Sequence, residues 1–551
     1  MVNNNHENNQ LKNNKEYKRL ATNTFYSYLI NYGSFFFTLI YSFLLARLII
    51  NRTWDFLILA TSYITIIGII ISLLPPGLNH ALNYYIPRYL ALNEKKKIKA
   101  LIKNTLIIKS LFTIIILIIS IVFFTIFEDL FAINLEDNVS ILVILSPTIF
   151  FNSLGSLLDA INRGFSKFNF LFLILLIKNA FHICPLLIYY IFDININIDT
   201  IALIVMISSL IPFILKFLYV LIKVIRIKPV GNEIEPFKKD IFKSVKYGGY
   251  LTFSNLIAKG WREAQLQGVG FFESAGAVTG FNIALNYSHI GQVSVGSFYF
   301  PLWTSFTSLS TKKEYDHVVK IFKIASRITL FLLLILSGIL FFSVDFFLDF
   351  VFLESRLIFS NILKLIVFAA IFQIFKIFVL SLLNAQNKVK LSFLLNILYM
   401  TYYIPLFFIG LIYGGIEGAI IFGLIIGNII SLIIQIYSIY KIGNIKINIK
   451  KIILQYLTFF IPLVITVILE NLILKEINIT ILHNLGLSLF INLDFLSIGT
   501  FIVLFILMNL VFGIVKSTDF EYFESLLSKD KFLNRIMLKT LNVLKKFTRR
   551  K

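Results

Sequence analysis

Long apolar stretches follow one another along almost the whole chain, and short polar segments separate them. Most of them reach the roughly 20 residues that an α-helix needs to cross the hydrocarbon core of a membrane. The pattern predicts about fourteen membrane-spanning helices. They are placed at residues 23–48, 55–92, 101–126, 139–163, 168–192, 199–226, 243–270, 274–310, 319–349, 357–386, 389–413, 415–441, 450–473 and 497–516.

The composition indicates that lipid, more than water, surrounds these helices. The 551 residues are 58% hydrophobic and 16% aromatic, and the mean hydropathy is +0.84. Ordinary soluble domains have a smaller apolar share, so the prediction is an all-α integral membrane protein. The single cysteine, Cys184, excludes an internal disulfide and a cysteine-built metal site. No carboxylate pair or nucleotide loop has catalytic spacing, so we expect neither an enzyme nor a cofactor.

The distribution of charge predicts the orientation of the spans. The formal net charge is +22, but the basic residues do not form one patch, and we therefore expect no nucleic-acid partner. They lie in every second polar segment, whereas most intervening segments are acidic. The positive-inside rule places the basic segments and both termini in the cytosol, which requires an even number of spans.

Two sequence patterns each occur twice in the same order. "NYYIPRYLALNEKKKIK" from residue 83 and "SFYFPLWTSFTSLSTKKEYD" from residue 297 both end the second span of a set of six. "LLDAINRGFSKFNF" from residue 157 and "LLNAQNKVKLSF" from residue 382 both end the fourth. The order predicts a duplicated six-helix unit with both copies in the same orientation, in which Pro87 and Pro301 are equivalent. Chance similarity between low-complexity segments is the alternative.

Two of the spans are too long for one straight crossing. The second contains "LLPPGLNH", where residues 75–77 are expected to break or kink the helix and start a bent extension toward the cytosol. The eighth carries Gly291, Gly296 and Pro301 instead.

The predicted architecture is two pseudo-symmetric six-helix lobes followed by two C-terminal helices. The asparagine-rich start is expected to be disordered, and the basic amphipathic end is expected to lie on anionic membrane lipids. The predicted segments are a cytosolic tail (1–20), an N-terminal lobe (21–226), a cytosolic linker (227–242), a C-terminal lobe (243–445), two extra spans (446–516) and a cytosolic tail (517–551).

Several stretches resemble a known family of polysaccharide flippases. "FLLARLIINRTWDFLILATSY" resembles the segment that leads from their first helix into the second, and "GLNHALNYYIPRYLALNEKKKIKALI" resembles the stretch before their third helix. "LLNAQNKVKLSFLLNILYMTYYIPLFFIGLIYGGIEGAIIFGLIIGNII" is similar to their helices 10 to 12, with Gly414, Gly415 and Gly418 at the turn. The resemblance is diffuse and extends to about residue 445. "INRTWDF" and "GWREAQLQG" depart from the family pattern.

The resemblance, to the Wzx-like O-antigen and teichoic-type flippases of the multidrug/oligosaccharidyl-lipid/polysaccharide exporter superfamily, implies a fold and a function. The fold would be a V-shaped pair of lobes around a central cavity in the cytoplasmic membrane. The substrate would be an oligosaccharide on a polyprenyl phosphate or pyrophosphate, moved to the outer leaflet by alternating access. A polysaccharide polymerase or glycosyltransferases would be further partners.

Two other functions remain open. A cation-coupled multidrug or metabolite exporter of the same superfamily usually needs carboxylates inside the membrane, whereas the charges within these spans are mainly basic. A glycan polymerase or ligase usually has a large extracytosolic loop, and the longest outer segment here, residues 474–496, is short and apolar.

Charged residues inside the spans identify a candidate site for the substrate headgroup. An Arg or Lys at mid-membrane costs about 2.5–3.5 kcal/mol on insertion scales, so a partner or a ligand has to receive it. On the seventh span Asn255, Lys259 and Arg262 lie at i, i+4 and i+7 and form one polar stripe. Arg suits a phosphate because its fork donates two parallel hydrogen bonds. In the alternative interpretation, Lys259 and Glu263 neutralise each other in a packed contact.

Arg88 and Arg47 are the remaining candidates for substrate binding. Arg88 lies near the cytosolic end of the second span, where it is equally explained as an interface anchor. Arg47 lies at the outer end of the first span, where an arginine is more often an interface residue than a ligand. Structural roles are expected for Lys178, His182, Lys216, His289 and Lys376.

The predicted orientation can be checked by cysteine labelling from outside the cell. A reagent that does not cross the membrane should label cysteines substituted at Asp137, Asp199 and Asp349. It should not label those at Lys96, Lys312 or Lys446, because these positions are predicted to be cytosolic. Labelling at Lys312 from outside would exclude two copies with parallel orientation.

Overall fold

The structure is a computed structural model that describes residues 2–48, 64, 67–68, 74–126, 140–227, 236–273, 275–352, 359–441, 445, 448–474, 476–478, 480 and 494–513. The predicted basic tail, residues 517–551, lies outside these ranges. The side chains of Arg47, Lys259 and Glu263 also lie outside the described part.

Within these ranges the chain folds into helices, which satisfy their backbone hydrogen bonds internally as a membrane requires. A further short helix, Val344–Phe352, lies between the helices called α9 and α10 below. The helices are α1 (Val2–Leu48), α2 (Leu78–Ala91), α3 (Lys95–Ile126), α4 (Ser140–Gly164), α5 (Phe168–Ile191), α6 (Ile198–Ile225), α7 (Phe237–Phe272), α8 (Ala275–Thr311), α9 (Tyr315–Phe342), α10 (Ser360–Ala385), α11 (Val389–Gly418), α12 (Ala419–Ile426 and Gly427–Lys441), α13 (Ile449–Leu474) and α14 (Phe495–Val511).

The predicted all-α membrane fold is confirmed. In the described part of the chain, eight helices are long and apolar enough to cross a membrane, with Val389–Lys441 counted as one, and α14 is a shorter apolar helix. Two boundaries differ from the prediction. Helix α1 begins at Val2, where a disordered tail was expected, and α7 begins at Phe237, inside the expected linker. A nucleated helix extends at low cost, which explains both extensions.

The two repeated patterns fold into the same turns. Two residues after the ends of α2 and α8, Asn93 and Lys313 have φ angles of 58° and 61°. Two residues after the ends of α4 and α10, Ser166 and Asn387 have φ angles of 58° and 62°. In all four turns the next amide donates to a carbonyl five residues earlier, at 2.8 to 3.0 Å. The corresponding turns are 220 and 221 residues apart. The same turn also ends α5 at Asp193, with a φ of 48°, so it is the matching spacing of the turns, and not the turn itself, that agrees with the predicted duplication.

The matching sequence patterns, including the two prolines, lie at different distances from these turns. Pro87 lies six residues before Asn93, whereas Pro301 lies twelve residues before Lys313. The "LLDA" and "LLNA" segments are likewise four residues out of register with their turns. Four residues are about one helical turn, so each segment still presents the same face. The spacing of the hydrogen-bonded turns and the spacing of the matching sequence patterns therefore give different registers for the two copies.

Glycines form the breaks predicted in the second span and between the eleventh and twelfth. Residues 74–77 are not helical, and Gly77 has a φ of 78°. Helices α11 and α12 separate at Gly415, whose φ of 59° and ψ of −152° are accessible almost only to glycine. The backbones of Gly410 and Gly418 meet beside this turn, where a Cβ on Gly410 would lie 2.3 Å from the Gly418 carbonyl oxygen.

The two additional helices pack on α9 and α10. The ring of Phe501 on α14 covers Gly338 of α9, where a Cβ would lie 2.0 Å from that ring. Tyr456 on α13 donates a hydrogen bond of 3.1 Å to the carbonyl of Ile371. Helix α10 has a short 3₁₀ segment at Ile371–Gln373, which leaves this carbonyl available. The additional helices thus fill an irregular surface of the C-terminal lobe.

Gly338→Ala is expected to destabilise the docking of α14. The new methyl group would collide with Phe501, and overpacking of a tight core typically costs about 1–3 kcal/mol. Gly499→Ala in α14 is the matched control, because nothing lies within 4 Å of a Cβ there. Thermal unfolding in detergent should show a lower midpoint for Gly338→Ala alone. Equal midpoints for the two variants would contradict this packing.

Candidate functional site

One face of α7 is directed toward the N-terminal lobe. Gly248, Asn255 and Arg262 are seven residues apart, about two helical turns, and therefore share this face. A Cβ on Gly248 would lie 1.9 Å from the carbonyl oxygen of Gly77, so the two backbones are in contact. The Asn255 Nδ2 atom lies 3.2 Å from Nε2 of His80 on α2. The polar stripe identified in the sequence thus faces the other lobe.

Arg262 lies on the same face, beyond these contacts. It is about 10 Å farther along the axis of α7 than Asn255. Its side chain is exposed, and its Nη2 atom donates to Oδ1 of Asn286 at 2.7 Å and to Oδ1 of Asn282 at 3.4 Å. Arg262 thus shares the face of the inter-lobe contacts and yet is exposed. We call the region beside it, on the side of α7 that faces the N-terminal lobe, the cleft.

Helix α8 forms the adjoining part of the cleft wall. Asn286 shares a helical face with Ile290 and Ser297. These two residues contact α1: the Tyr32 hydroxyl donates to the Ile290 carbonyl at 3.2 Å, and Asn31 donates to Ser297 Oγ at 2.9 Å. The amides that hold Arg262 therefore also belong to the side of the C-terminal lobe that faces the N-terminal lobe.

Aromatic rings close the cleft at one end. The rings of Tyr84 on α2 and Tyr247 on α7 stack with their centroids 4.4 Å apart. Lys243, one turn earlier on α7, donates to the hydroxyl of Tyr89 at 3.0 Å. These contacts lie at the end of α2 that leads into the lysine-rich segment from Lys95. The lysine-rich end of the cleft is thus the closed end.

The structure does not bring all the predicted site residues together. Arg88 donates to the hydroxyl of Tyr84 at 3.1 Å and thus belongs to the closed end. Tyr84 stacks on Tyr247, which precedes Arg262 by fifteen residues on α7, so Arg88 and Arg262 are about 20 Å apart along the helix. The side chains of the other two candidates, Arg47 and Lys259, lie outside the described part.

Sequence analysis missed an ion pair inside the N-terminal lobe. Lys216 on α6 lies 2.8 Å from Oδ1 of Asp159 on α4. The sequence analysis named Lys216 but not Asp159. A lone carboxylate in an apolar span is enough to indicate a buried partner or a functional site. The structural role expected for Lys216 is thus accounted for, and the ring of His182 packs against that of Tyr41, with centroids 4.1 Å apart and the planes tilted by 38°. In the described part of the chain, no cluster of His, Cys, Asp or Glu is arranged to hold a metal ion.

No protein-family model and no curated protein matches the chain. Solved structures share its fold. A mutant of the Vibrio cholerae MATE transporter VcmN matches with a TM-score of 0.65 and 17% identity over 78% of this chain and 97% of that one. A MATE transporter in the straight conformation gives 0.64 and 14% identity over 76% and 94%. An outward-facing multidrug resistance MATE transporter of the MOP superfamily gives 0.60 and 14% over 77% and 94%.

The chain has the fold of these MATE transporters. It is therefore a multi-pass membrane protein with two helical lobes, as predicted, and its structural neighbours are transporters rather than enzymes. The match includes at least 94% of each of these neighbours, so nearly the whole of those proteins shares the fold. At 14–17% identity the likeness concerns the fold, and the site has to be argued from the residues of this chain.

Gly248→Ala is expected to prevent the closure seen here, because its methyl group would meet the backbone of Gly77, which cannot rotate away as a side chain can. Gly249→Ala is the control, since a Cβ there has nothing within 4 Å. Spin labels at Lys99 and Lys239, which are exposed near the closed end, report the separation of the lobes. Gly248→Ala should lengthen the measured distances, and Gly249→Ala should leave them unchanged. Unchanged distances in both variants would contradict the role of this contact.

Proposed function

We propose that the protein is a flippase for a lipid-linked oligosaccharide, which it moves from the cytosolic to the outer leaflet by alternating access during cell-envelope polysaccharide synthesis. The observation that carries this proposal is the position of Arg262, exposed in the cleft with neutral amide oxygens as its described hydrogen-bond partners. Amides orient the guanidinium without cancelling its charge. A positive charge kept in a helix that the sequence predicts to span the membrane is explained by an anionic ligand.

The geometry of Arg262 suits a phosphate. A guanidinium has five N–H donors, and both described contacts involve Nη2, so Nη1 and Nε retain donors for a ligand. Two parallel N–H groups match two phosphate oxygens. In a polyprenyl phosphate or pyrophosphate, the anionic group sits between the lipid tail and the sugar. It would bind Arg262, with Lys259 and Asn255 on the same stripe, while the sugar occupies the open cleft.

The distribution of basic residues indicates which end of the cleft faces the cytosol, and hence the direction of transport. The closed end is the lysine-rich one, which the positive-inside rule assigns to the cytosol, so this conformation opens outward. Arg88 then lies on the loading side of the closure and Arg262 on the release side. Separation of Gly77 from Gly248 would let the headgroup pass between them. We assign Arg47 to the outer exit, the basic tail to anionic lipids, and a polymerase or glycosyltransferases to neighbouring steps.

A cation-coupled multidrug or metabolite exporter is the second candidate, because one structural neighbour is a multidrug resistance transporter. Such coupling needs a carboxylate that is free to exchange its cation. Asp159, which lies within α4, is instead paired with Lys216 at 2.8 Å, whereas Glu470, near the end of α13, lies beside Asp494. This pairing and the cationic character of the cleft favour the flippase.

Arg262→Ala is expected to lower translocation by roughly ten- to a hundredfold, since loss of a charge-assisted hydrogen bond costs about 1.5–3 kcal/mol. Arg262→Lys should restore only part of the rate because the fork is lost. Arg226→Ala is the control: it removes an exposed arginine at the end of α6, outside the cleft. The measurement is flipping of a short-chain polyprenyl diphosphate oligosaccharide in proteoliposomes, at matched protein abundance.

Two outcomes would contradict the proposal. Full flipping by both Arg262→Ala and Lys259→Ala would place the headgroup site elsewhere. Absence of flipping by the unaltered protein, together with cation-driven export of organic dyes, would establish the second function. Glu263→Gln separates the two interpretations of the stripe: lower abundance would indicate a packed Lys259–Glu263 pair, and normal abundance would indicate a binding surface.

A further inference from the structure

A small cavity lies inside the C-terminal lobe between α10, α11 and α12. Its volume is about 30 Å³, which holds one or two water-sized species and is much too small for a sugar phosphate. It is distinct from the cleft wall formed by Arg262 and its amides. The polar residues that line it are Lys376, Asn396, Tyr399, Tyr402, Ser431 and Gln435.

The ammonium group of Lys376 is the one charge among the described residues that line this cavity. It lies nine residues before the end of α10, about 14 Å into the helix, and its Nζ atom is 4.2 Å from the ring centroid of Tyr399. In the part of the chain that the structure describes, no carboxylate forms an ion pair with it. Two other lysines in the same membrane-spanning region have one: Lys216 at 2.8 Å and Lys364, also on α10, at 3.0 Å.

The ring of Tyr399 compensates only part of what the half-buried ammonium group of Lys376 loses on leaving water. A cation–π contact is weaker than the hydration that a buried ion gives up. Lys376 therefore lacks the compensation that Asp159 and Asp345 supply to the other two lysines. The cavity beside Lys376 is the place where a mobile counter-ion fits.

Gln435 adds a second polar group with unused capacity. It is 7% exposed, its Nε2 atom donates to Ser431 Oγ at 2.5 Å, and its Oε1 atom has no partner among the described residues. The two ends of a glutamine amide exchange by a half turn. After that turn the oxygen accepts from the Ser431 hydroxyl, and the NH₂ group of this cavity-lining residue is the end without a partner among the described residues. Lys376 and Gln435 would then both offer N–H donors to one bound ion.

We propose that this cavity binds a small monovalent anion of the halide class as the counter-ion of Lys376. The volume admits a monatomic ion, and a single ammonium group balances a single negative charge. A divalent phosphate would leave one charge uncompensated and would not fit. The site goes beyond the proposed flippase function and does not depend on it, because the cleft residues take no part.

The test is the thermal stability of the purified full-length protein in chloride or bromide against gluconate at constant ionic strength. A ligand that binds only the folded state raises stability with a saturable dependence on its concentration. The unfolding midpoint of the unaltered protein should therefore rise and level off as halide replaces gluconate. Lys376→Met keeps the length of the side chain without its charge and should abolish this dependence. Lys390→Met, at an exposed lysine on α11, should retain it.

Gln435→Glu is a second test variant, which remains informative if Lys376→Met does not fold. A carboxylate at residue 435 would supply a built-in counter-ion, so this variant should match or exceed the halide-bound stability of the unaltered protein while no longer responding to halide. Equal midpoints in halide and gluconate for the unaltered protein would overturn the proposal in favour of a water-filled cavity. Halide dependence retained in Lys376→Met would place the ion elsewhere and overturn it as well.

Discussion

The contact between the backbones of Gly77 and Gly248 determines where the two lobes meet, and the form of the cleft follows from it. Neither residue has a Cβ, so the start of α2 and the middle of α7 approach closely. On one side of this point, Tyr84 and Tyr247 stack and close the cleft. On the other side Arg262, on the same face of α7, is exposed. A single face of α7 thus forms both the closure and the wall of the cleft.

The interior charges show three different solutions to the cost of an ion in a membrane. Lys216 has a carboxylate, Arg262 has two amides, and Lys376 has an aromatic ring. Only the first solution neutralises the charge, and the other two leave it available to an anion. With an inside-negative potential, an anion that moves outward gains about 2.3 kcal/mol per charge per 100 mV. A cationic cleft therefore suits outward movement of a phosphate without a coupling cation.

The duplication is preserved in the backbone more than in the side chains. The turns at Asn93 and Lys313 have the same hydrogen bonds and nearly the same φ, although their residues differ. When the later pair of turns is aligned, Arg163 of the N-terminal lobe corresponds to Asn384 of the C-terminal lobe. Arg163 lies 4.1 Å from the ring of Phe300 in the other lobe, whereas Asn384 donates to Tyr299 within its own lobe. Turn geometry fixes helix direction, while the side chains in each copy have acquired separate contacts.

The sequence by itself determined the all-α membrane fold, the break at Gly77 and the stripe of Asn255 and Arg262, because each depends on hydropathy, backbone conformation or helical periodicity within one segment. The turn at Gly415 was expected from the resemblance to flippases. The sequence did not determine that Asn282 and Asn286 hold Arg262, that Asp159 pairs with Lys216, or that Arg88 lies about 20 Å from Arg262 along the helix. Those facts depend on which helices are neighbours and at what level they touch. Neighbouring helices are selected by close contacts such as that of Gly77 with Gly248, which join residues far apart in the chain and leave no local pattern in it.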